Sequence, residues 1–452
     1  MKVSLIHPRL TYLPSQQPLG LGYIAASLER AGHEVQFIEA VFYPTDEDVV
    51  AAVRNFGADL VGISVMINYY SKTLSLARLL KEDNPALTIV VGGPHASTVP
   101  ETFVGCNDVD YVLIGEGEES FPLLATALET PSSFDPRGIS GLAWRDGRAE
   151  NPKAHRIMDL DTLPWPARHL MPMQDYQHRD YHVSFGMHGG NFNIITTRGC
   201  PNVCNFCDHT VFGHRISYRT VKNVVDEIEA TSRIYGIRNF DVMDDTFTLN
   251  YSRVMEFCEE LTRRNLKLFW CCRLRVTGVT RDMIKAMSLA GCIRFSVGIE
   301  SVDERVLKAT RKQITVQEVV QALRWAKEFG MLTIGNFMIG NLGDDRESVE
   351  KTLRFALETD EIDLPSYVIL VPLPGTPVYD YGKERGWIRS FDWDEYRMNN
   401  KGLPLMRNEA LSHEDIQDLY ATAALAVRPK ILKAFEALHL PRRSLYSGLH
   451  GS

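Results

Sequence analysis

A chain of 452 residues exceeds one ordinary domain and suggests roughly two to four. Its composition, 44% apolar, 23% charged and 10% aromatic, is that of a globular protein with ample material for buried cores. Basic residues number 49 and acidic residues 57, a net charge of −8 with no long run of one sign. The basic footprint of a DNA- or RNA-binding surface is therefore absent, which leaves a small molecule or a protein as the expected substrate.

Met1-Lys2-Val3-Ser4-Leu5-Ile6 runs straight into an apolar strand pattern, with no basic leader, long apolar stretch or small-residue cleavage site. No window approaches the ~20 apolar residues of a membrane span. The eight cysteines, at 106, 200, 204, 207, 258, 271, 272 and 292, are partly clustered. In a chain of this size, clustering points to metal or catalysis more than to disulfides, so a cytoplasmic protein is expected, with no membrane partner.

The first 130 residues alternate short apolar runs with helical patterns. Strands are expected at Val3–Ile6, Val35–Ile38, Leu60–Val65, Thr88–Val91 and Tyr111–Ile114, and helices near Gly22–Ala31 and Ser71–Glu82. Such alternation predicts an α/β fold with a doubly wound, Rossmann-like parallel sheet whose ligands bind at the carboxyl ends of the strands. Gly92-Gly93-Pro94 and Gly115-Glu116-Gly117 fall at such ends. From 131 to 190, prolines at 131, 136, 152, 164, 166 and 172 break any long element, which predicts a linker with a small hairpin around Trp144–Arg148. Alternation then resumes, with strands expected at Ile194–Thr197, Phe240–Met243, Leu268–Cys271, Ile293–Ile299, Leu332–Ile339 and Tyr367–Val371. Helical patterns between them include Val221–Tyr235 and Tyr251–Asn265. Six β/α units over 191–382 make a partial, open (β/α)6 barrel rather than a closed eight-fold one. A short helical region over 383–452 ends the chain.

The segment Thr197-Arg198-Gly199-Cys200-Pro201-Asn202-Val203-Cys204-Asn205-Phe206-Cys207 follows the first barrel strand. Three thiols at CxxxCxxC spacing can wrap one cuboidal cluster from a single loop. Iron–sulfur clusters normally take four thiolates, so three leave one iron open. Structural zinc prefers four ligands, commonly paired as CxxC, and His209 and His214 complete no familiar set. Cys258, Cys271, Cys272 and Cys292 fall within elements and read as packing residues.

On these residues, with the aromatic Phe206 before the last cysteine, the chain resembles the radical S-adenosylmethionine (SAM) superfamily. The resemblance implies a [4Fe–4S] cluster on Cys200, Cys204 and Cys207 whose open iron chelates SAM. An electron then cleaves a C–S bond to give methionine and a 5′-deoxyadenosyl radical, so the cofactor carries the difficult chemistry. It further implies SAM contacts from Asp244, Asp245 and Thr246 after the second strand, Arg273 after the third, and Ser296 and Glu300 on the fourth. The adenine segment would be Gly335–Gly340, with Asn336, Ile339 and Gly340. Two places after Arg273, where the family has an acidic residue, this chain has Arg275. An electron donor such as flavodoxin or ferredoxin is the partner expected.

Residues 1–130 resemble the cobalamin-binding domain that precedes the barrel in B12-dependent radical SAM enzymes, through Pro18–Tyr23, Ser64, Gly92, Gly93 and Gly115. The DxHxxG cobalt-ligating motif is absent, and Asn68-Tyr69-Tyr70 either line or fill the tail slot, so cobalamin stays open. Two reactions follow. The one favoured from sequence is radical dehydration of a polyol or aminosugar, as in radical SAM diol dehydratases of aminoglycoside antibiotic biosynthesis, with a partner reductase completing deoxygenation. The alternative is a cobalamin-dependent methyltransferase; a non-catalytic regulator is the remaining class. Carboxylates at 208, 244, 245, 300, 344, 345, 392, 394 and 395 would suit a cationic aminosugar, and Asp208 and His209, directly after the cluster, are the candidate base or hydrogen-bond partners.

Overall fold

The structure, a computed structural model, describes residues 1–9, 16–130, 135–145, 147–148, 155–177, 190–397 and 403–437. The chain divides into two compact units. One comprises 1–176 with 209–218, the other 177–208 with 219–452.

The first unit is built on a seven-stranded sheet. In spatial order its strands are Glu34–Glu39, Lys2–His7, Leu60–Ser64, Thr88–Gly92, Tyr111–Leu113, Leu142–Trp144 and Gly147–Arg148. The first five are parallel; the last two form the expected hairpin, added antiparallel with Tyr111 opposite Trp144. Strands apolar on both sides, such as Val3, Leu5 and Ile6 at 0% exposure, need helices on both faces. Gly62 makes that close cover possible, because a Cβ there would lie 2.5 Å from the Phe121 ring and 2.8 Å from Leu5 Cδ2. The order of the strands reverses between Lys2–His7 and Leu60–Ser64, where a doubly wound sheet opens a crevice at its carboxyl edge.

The described part of the expected linker is no linker. Tyr176 is buried and its hydroxyl donates to Glu39 Oε2 at 2.6 Å, while the Ala167 amide donates to Gly22 O at 3.0 Å. A Cβ on Gly22 would meet Pro166 Cβ at 3.0 Å, so that glycine seats the helix Leu19–Arg30 on this segment. The prolines stop regular structure without stopping burial, and the segment up to 176 folds as part of the first unit. Linker residues 178–189 lie outside the described residues.

The second unit carries six parallel strands, Phe192–Ile194, Asn239–Val242, Phe269–Leu274, Cys292–Glu300, Leu332–Ile339 and Leu364–Ile369, whose spatial order is their chain order. Strand and helix alternate round this arc, with two helices between Cys292–Glu300 and Leu332–Ile339, the arrangement of a partial barrel. Thr220, Asn250, Thr280, Asp303, Thr315 and Asp345 cap the helices between the strands through their side chains. Phe192 stacks on Phe240 at 5.8 Å and Phe240 on Trp270 at 6.0 Å, a ladder across the first three strands. The helix His413–Ala437 covers the last strand through Leu364 and Phe435, and Lys430 Nζ donates to the carbonyls of Ala356, Leu357 and Thr359. Of the C-terminal region, 398–402 and 438–452 lie outside the described residues. No helix among the described residues is long and apolar enough to cross a membrane.

Candidate functional site

The three-thiol loop is clamped at both ends. Asp244, 1% exposed, accepts from the amides of Thr196 and Thr197 at 2.6 and 3.1 Å and from their hydroxyls at 2.5 and 2.9 Å. Burial pushes its carboxyl upward while those four donors pull it back. Asp245 accepts from the amide of Gly199, a glycine at φ +92° that turns the chain into the loop. At the other end, buried Asn205 donates to Ala309 O at 2.9 Å through its side chain and to Thr310 O at 3.1 Å through its amide. Its own carbonyl accepts from Val378 N at 3.0 Å, so the loop is fixed by residues beyond three other strands, the second, fourth and sixth.

The sulfurs sit among donors. Cys200 Sγ accepts from Asn202 Nδ2 at 3.1 Å and lies 3.7 Å from Thr246 Oγ1. Cys204 is buried and lies 3.7 Å from Arg275 Nη1. Its thiol is pushed down to about 6 by the hydrogen bond from Cys207, against burial, with Lys312 and Arg275 adding to the effect; Cys207, the donor of that bond, is pushed up. Lys312 Nζ pairs with Glu300 Oε1 at 2.8 Å and stands 5.8 Å from the centre of the Phe206 ring. Gly298 makes room for that pair, since a Cβ there would fall 2.5 Å from Glu300 Oε1 and 2.8 Å from Lys312 Nζ. Among the described residues, no three His, Cys, Asp or Glu side chains converge as ligands of one metal ion. A cuboidal cluster spreads its thiolates over different irons, and three sulfurs on one rigid loop surrounded by N–H and O–H donors suit it.

The remaining expected SAM residues divide. Arg273, Ser296 and Asn336 lie on one face of neighbouring strands: Arg273 is in register with Ser296, and Asn336 with Gly298. Arg273 is exposed, with Nη1 3.2 Å from Met243 Sδ, and Asn336 Nδ2 donates to Val297 O at 3.4 Å. Ile339 is 1% exposed and, three residues along the strand, falls on the opposite face from Asn336. Gly340 turns the chain at φ +90°, gives its amide to Asp344 Oδ2 at 3.1 Å, and would press a Cβ on Ile416 of the C-terminal helix at 3.2 Å. Those two residues serve packing and turning. Asp208 is half-buried and ends the cysteine-bearing segment of the second unit; His209 opens the 209–218 segment of the first, with its ring 4.1 Å from that of His214.

Most carboxylates expected to meet a cationic aminosugar have internal duties. Asp345 caps a helix and pairs with Arg305; Glu395 accepts from Ser390 Oγ at 2.6 Å and pairs with Arg389. Asp392 caps Asp394 N, Glu300 holds Lys312, and Asp344, pushed up to about 6 by burial, accepts from Gly340, Asn341 and Ser348. The sequence reading counted these groups as ligands because helix caps and ligand sites use the same residues.

In the first unit, Ser64, Gly92, Gly93 and Gly115 meet at the carboxyl edge of the sheet. Gly93, at φ +93°, would place a Cβ 3.0 Å from both Ser64 Oγ and Val65 N, so only glycine fits there. Ser97, which the sequence reading passed over, joins the group by donating to Gly93 O at 2.8 Å and accepting from Gly115 N at 2.9 Å. Behind them buried His95 packs edge-on against Tyr70 and Phe103, with ring centres 5.6 and 5.7 Å away, and burial pushes it down to about 4. Tyr70 donates to Thr102 O at 3.2 Å, so it packs helices together rather than standing at the sheet edge. Buried Glu116 accepts from Ile157 N at 3.0 Å and pairs with Arg156, whose guanidinium also donates to Ser217 Oγ at 3.0 Å and lies 5.6 Å from the Phe212 ring centre.

Comparison with known proteins follows this division. The B12 binding domain model matches residues 10–125 and the Radical SAM superfamily model matches residues 194–356. An uncharacterized methyltransferase of Pyrococcus horikoshii is 33% identical over 92% of this chain and 89% of its own. The anaerobic magnesium-protoporphyrin IX monomethyl ester cyclase of Cereibacter sphaeroides is 29% identical over 92% of this chain and 69% of its own. Among solved structures, the radical SAM methyltransferase TsrM of Kitasatospora setae, with cobalamin and [4Fe-4S] cluster bound, shares the fold. It matches with a TM-score of 0.71 at 20% identity, over 93% of this chain and 85% of that one.

Proposed function

We propose that this chain, which belongs to the radical SAM superfamily and carries a B12-binding domain, is a cobalamin-dependent methyltransferase acting on a small molecule. The observation that carries the reading is the Pyrococcus relative, a methyltransferase by name, whose 33% identity runs through both units. The cyclase relative is less identical and extends further beyond this chain. The aminosugar substrate that accompanied the dehydration reading rested on strand-end carboxylates, and most of those carboxylates hold the fold together.

Cys200, Cys204 and Cys207 would hold the [4Fe–4S] cluster. Asp244 and Asp245 fix the loop that presents them, and Thr246 and Asn202 supply hydrogen-bonding groups at Cys200. Arg273, Ser296, Glu300 and Asn336 would contact SAM from the inner face of the arc, with the Lys312–Glu300 pair bounding the cysteine end. Ser64, Gly92, Gly93 and Gly115 would receive the corrinoid tail at an edge that has almost no side chains to displace. The cluster with SAM supplies hydrogen abstraction from unactivated carbon, and the corrinoid supplies a transferable methyl group.

The two reactions leave different remains of SAM. Methyl donation leaves S-adenosylhomocysteine; reductive cleavage leaves methionine and 5′-deoxyadenosine. The reconstituted enzyme, given SAM labelled in its methyl group, a low-potential reductant and a small-molecule extract, is expected to release both nucleosides and place label in the extract. 5′-Deoxyadenosine with no S-adenosylhomocysteine and no transferred label would return the reading to dehydration.

A further inference from the structure

Arg275 stands beside the cysteine loop in an arrangement that group transfer does not explain. It follows the third barrel strand, with Nη1 3.7 Å from Cys204 Sγ and Nη2 donating to the carbonyl of Gln313 at 3.0 Å. That carbonyl also accepts from Thr277 Oγ1 at 3.4 Å, in the turn after the helix Glu304–Ala309 where Arg311 and Gln313 adopt positive φ, 55° and 50°. The fork is thus braced on backbone at one side and aimed at sulfur on the other. The second cation near the thiols, Lys312, pairs with Glu300 at 2.8 Å, and that carboxylate offsets part of its charge. Arg275 pairs with no carboxylate among the described residues, and a guanidinium keeps its charge at every working pH.

A cluster that takes up one electron gains one negative charge. A fixed cation at a ligating sulfur stabilises the reduced state more than the oxidised one, and N–H···S contacts act in the same direction. Burial of Cys204 limits the solvent that would screen the effect. We propose that Arg275 sets the reduction potential of the cluster, raising it through its charge and its contact with Cys204. The step is a one-electron transfer from an external low-potential donor to the cluster, [4Fe–4S]2+ to [4Fe–4S]+, with no bond made or broken. The inference rests on reading the three cysteines as cluster ligands and is independent of the group the enzyme transfers.

The test is a potentiometric titration of the full-length chain, reconstituted anaerobically and followed by the EPR signal of the reduced cluster. Arg275→Gln is expected to take up iron as the wild type does and to lower the equilibrium constant for reduction about tenfold, ~59 mV for one electron. Arg275→Lys, which keeps the charge, is expected to stay within about threefold of wild type, by the same conversion. An iron-loaded Arg275→Gln protein with the wild-type midpoint would overturn the proposal, and so would a lysine variant that falls as far as the glutamine one. Should the glutamine variant take up no iron, Arg275→Met, uncharged and of similar length, takes its place with the same expected drop, and a wild-type midpoint in that variant would overturn the proposal. A wild-type chain without a cluster would overturn the ligand reading and this inference with it, whatever the outcome for methyl transfer.

Discussion

Asp244 shows how one carboxylate can resemble a ligand and act as a clasp. Its four donors come from Thr196 and Thr197, directly before the cysteine loop, and they draw the chain out of the six-stranded sheet after Ile194. That is why the first barrel strand, expected over 194–197, ends at 194. Replacing Asp244 with Asn turns acceptor capacity into donors facing donors, and the expected cost is about 2 kcal/mol or more. Chemical denaturation should register that loss and iron analysis should show incomplete loading; a variant as stable and as iron-rich as wild type would contradict the clasp. Cys204→Ala is expected to remove the visible absorption of the reconstituted cluster, together with most of its iron. Retention of both would mean that these thiols are not the ligands. The CxxxCxxC spacing made the three cysteines legible in the sequence, since all lie on one loop. Arg275 and Lys312 were not legible as a group, because only folding brings them to the cysteine loop across 71 or more residues of chain.

At the scale of elements, the strand-and-helix pattern was legible because buried parallel strands are nearly continuous apolar runs. Leu332–Ile339 and the helix Val221–Tyr235 match their expected bounds, and the other boundaries shift by a few residues. What the pattern did not carry is irregular packing. The proline-rich stretch up to Tyr176 has no period to read, yet it is held by single contacts such as Tyr176 on Glu39. The trio His95, Tyr70 and Phe103 likewise joins two short helical segments to the start of the helix Tyr70–Asp83 without any regular spacing. His95 gives that trio a pH signature. Its folded pKa of about 4 lies below the ordinary 6.5, so above 6.5 the ring is neutral in both folded and unfolded chains and costs nothing. As pH falls from 6.5 toward 4 the unfolded ring binds a proton that the folded ring refuses, and stability is lost, about 3 kcal/mol in all. His95→Phe, which keeps a ring between Tyr70 and Phe103, should remove that component. Denaturation between pH 7 and 4.5 tests it: parallel stability curves for the variant and the wild type would show that His95 does not titrate in this way.

Across the whole molecule, two units of different architecture divide the chemistry, a seven-stranded sheet with a glycine-lined edge and a six-stranded arc with three thiols on a clamped loop. Both were readable from sequence because each announces itself through local motifs. The choice of reaction was not, since a fold does not fix its reaction, and the methyltransferase proposal rests on similarity spanning both units. The central claim is that both units are loaded together. It is tested most directly by reconstituting the chain anaerobically with iron, sulfide and hydroxocobalamin, desalting it, and measuring metal content alongside the visible spectrum. About four irons per chain, cobalt equimolar with protein, and a corrinoid band superposed on the cluster absorption are expected. Full iron with no retained cobalt would contradict that claim, leaving the first unit without its cofactor and methyl transfer without its carrier.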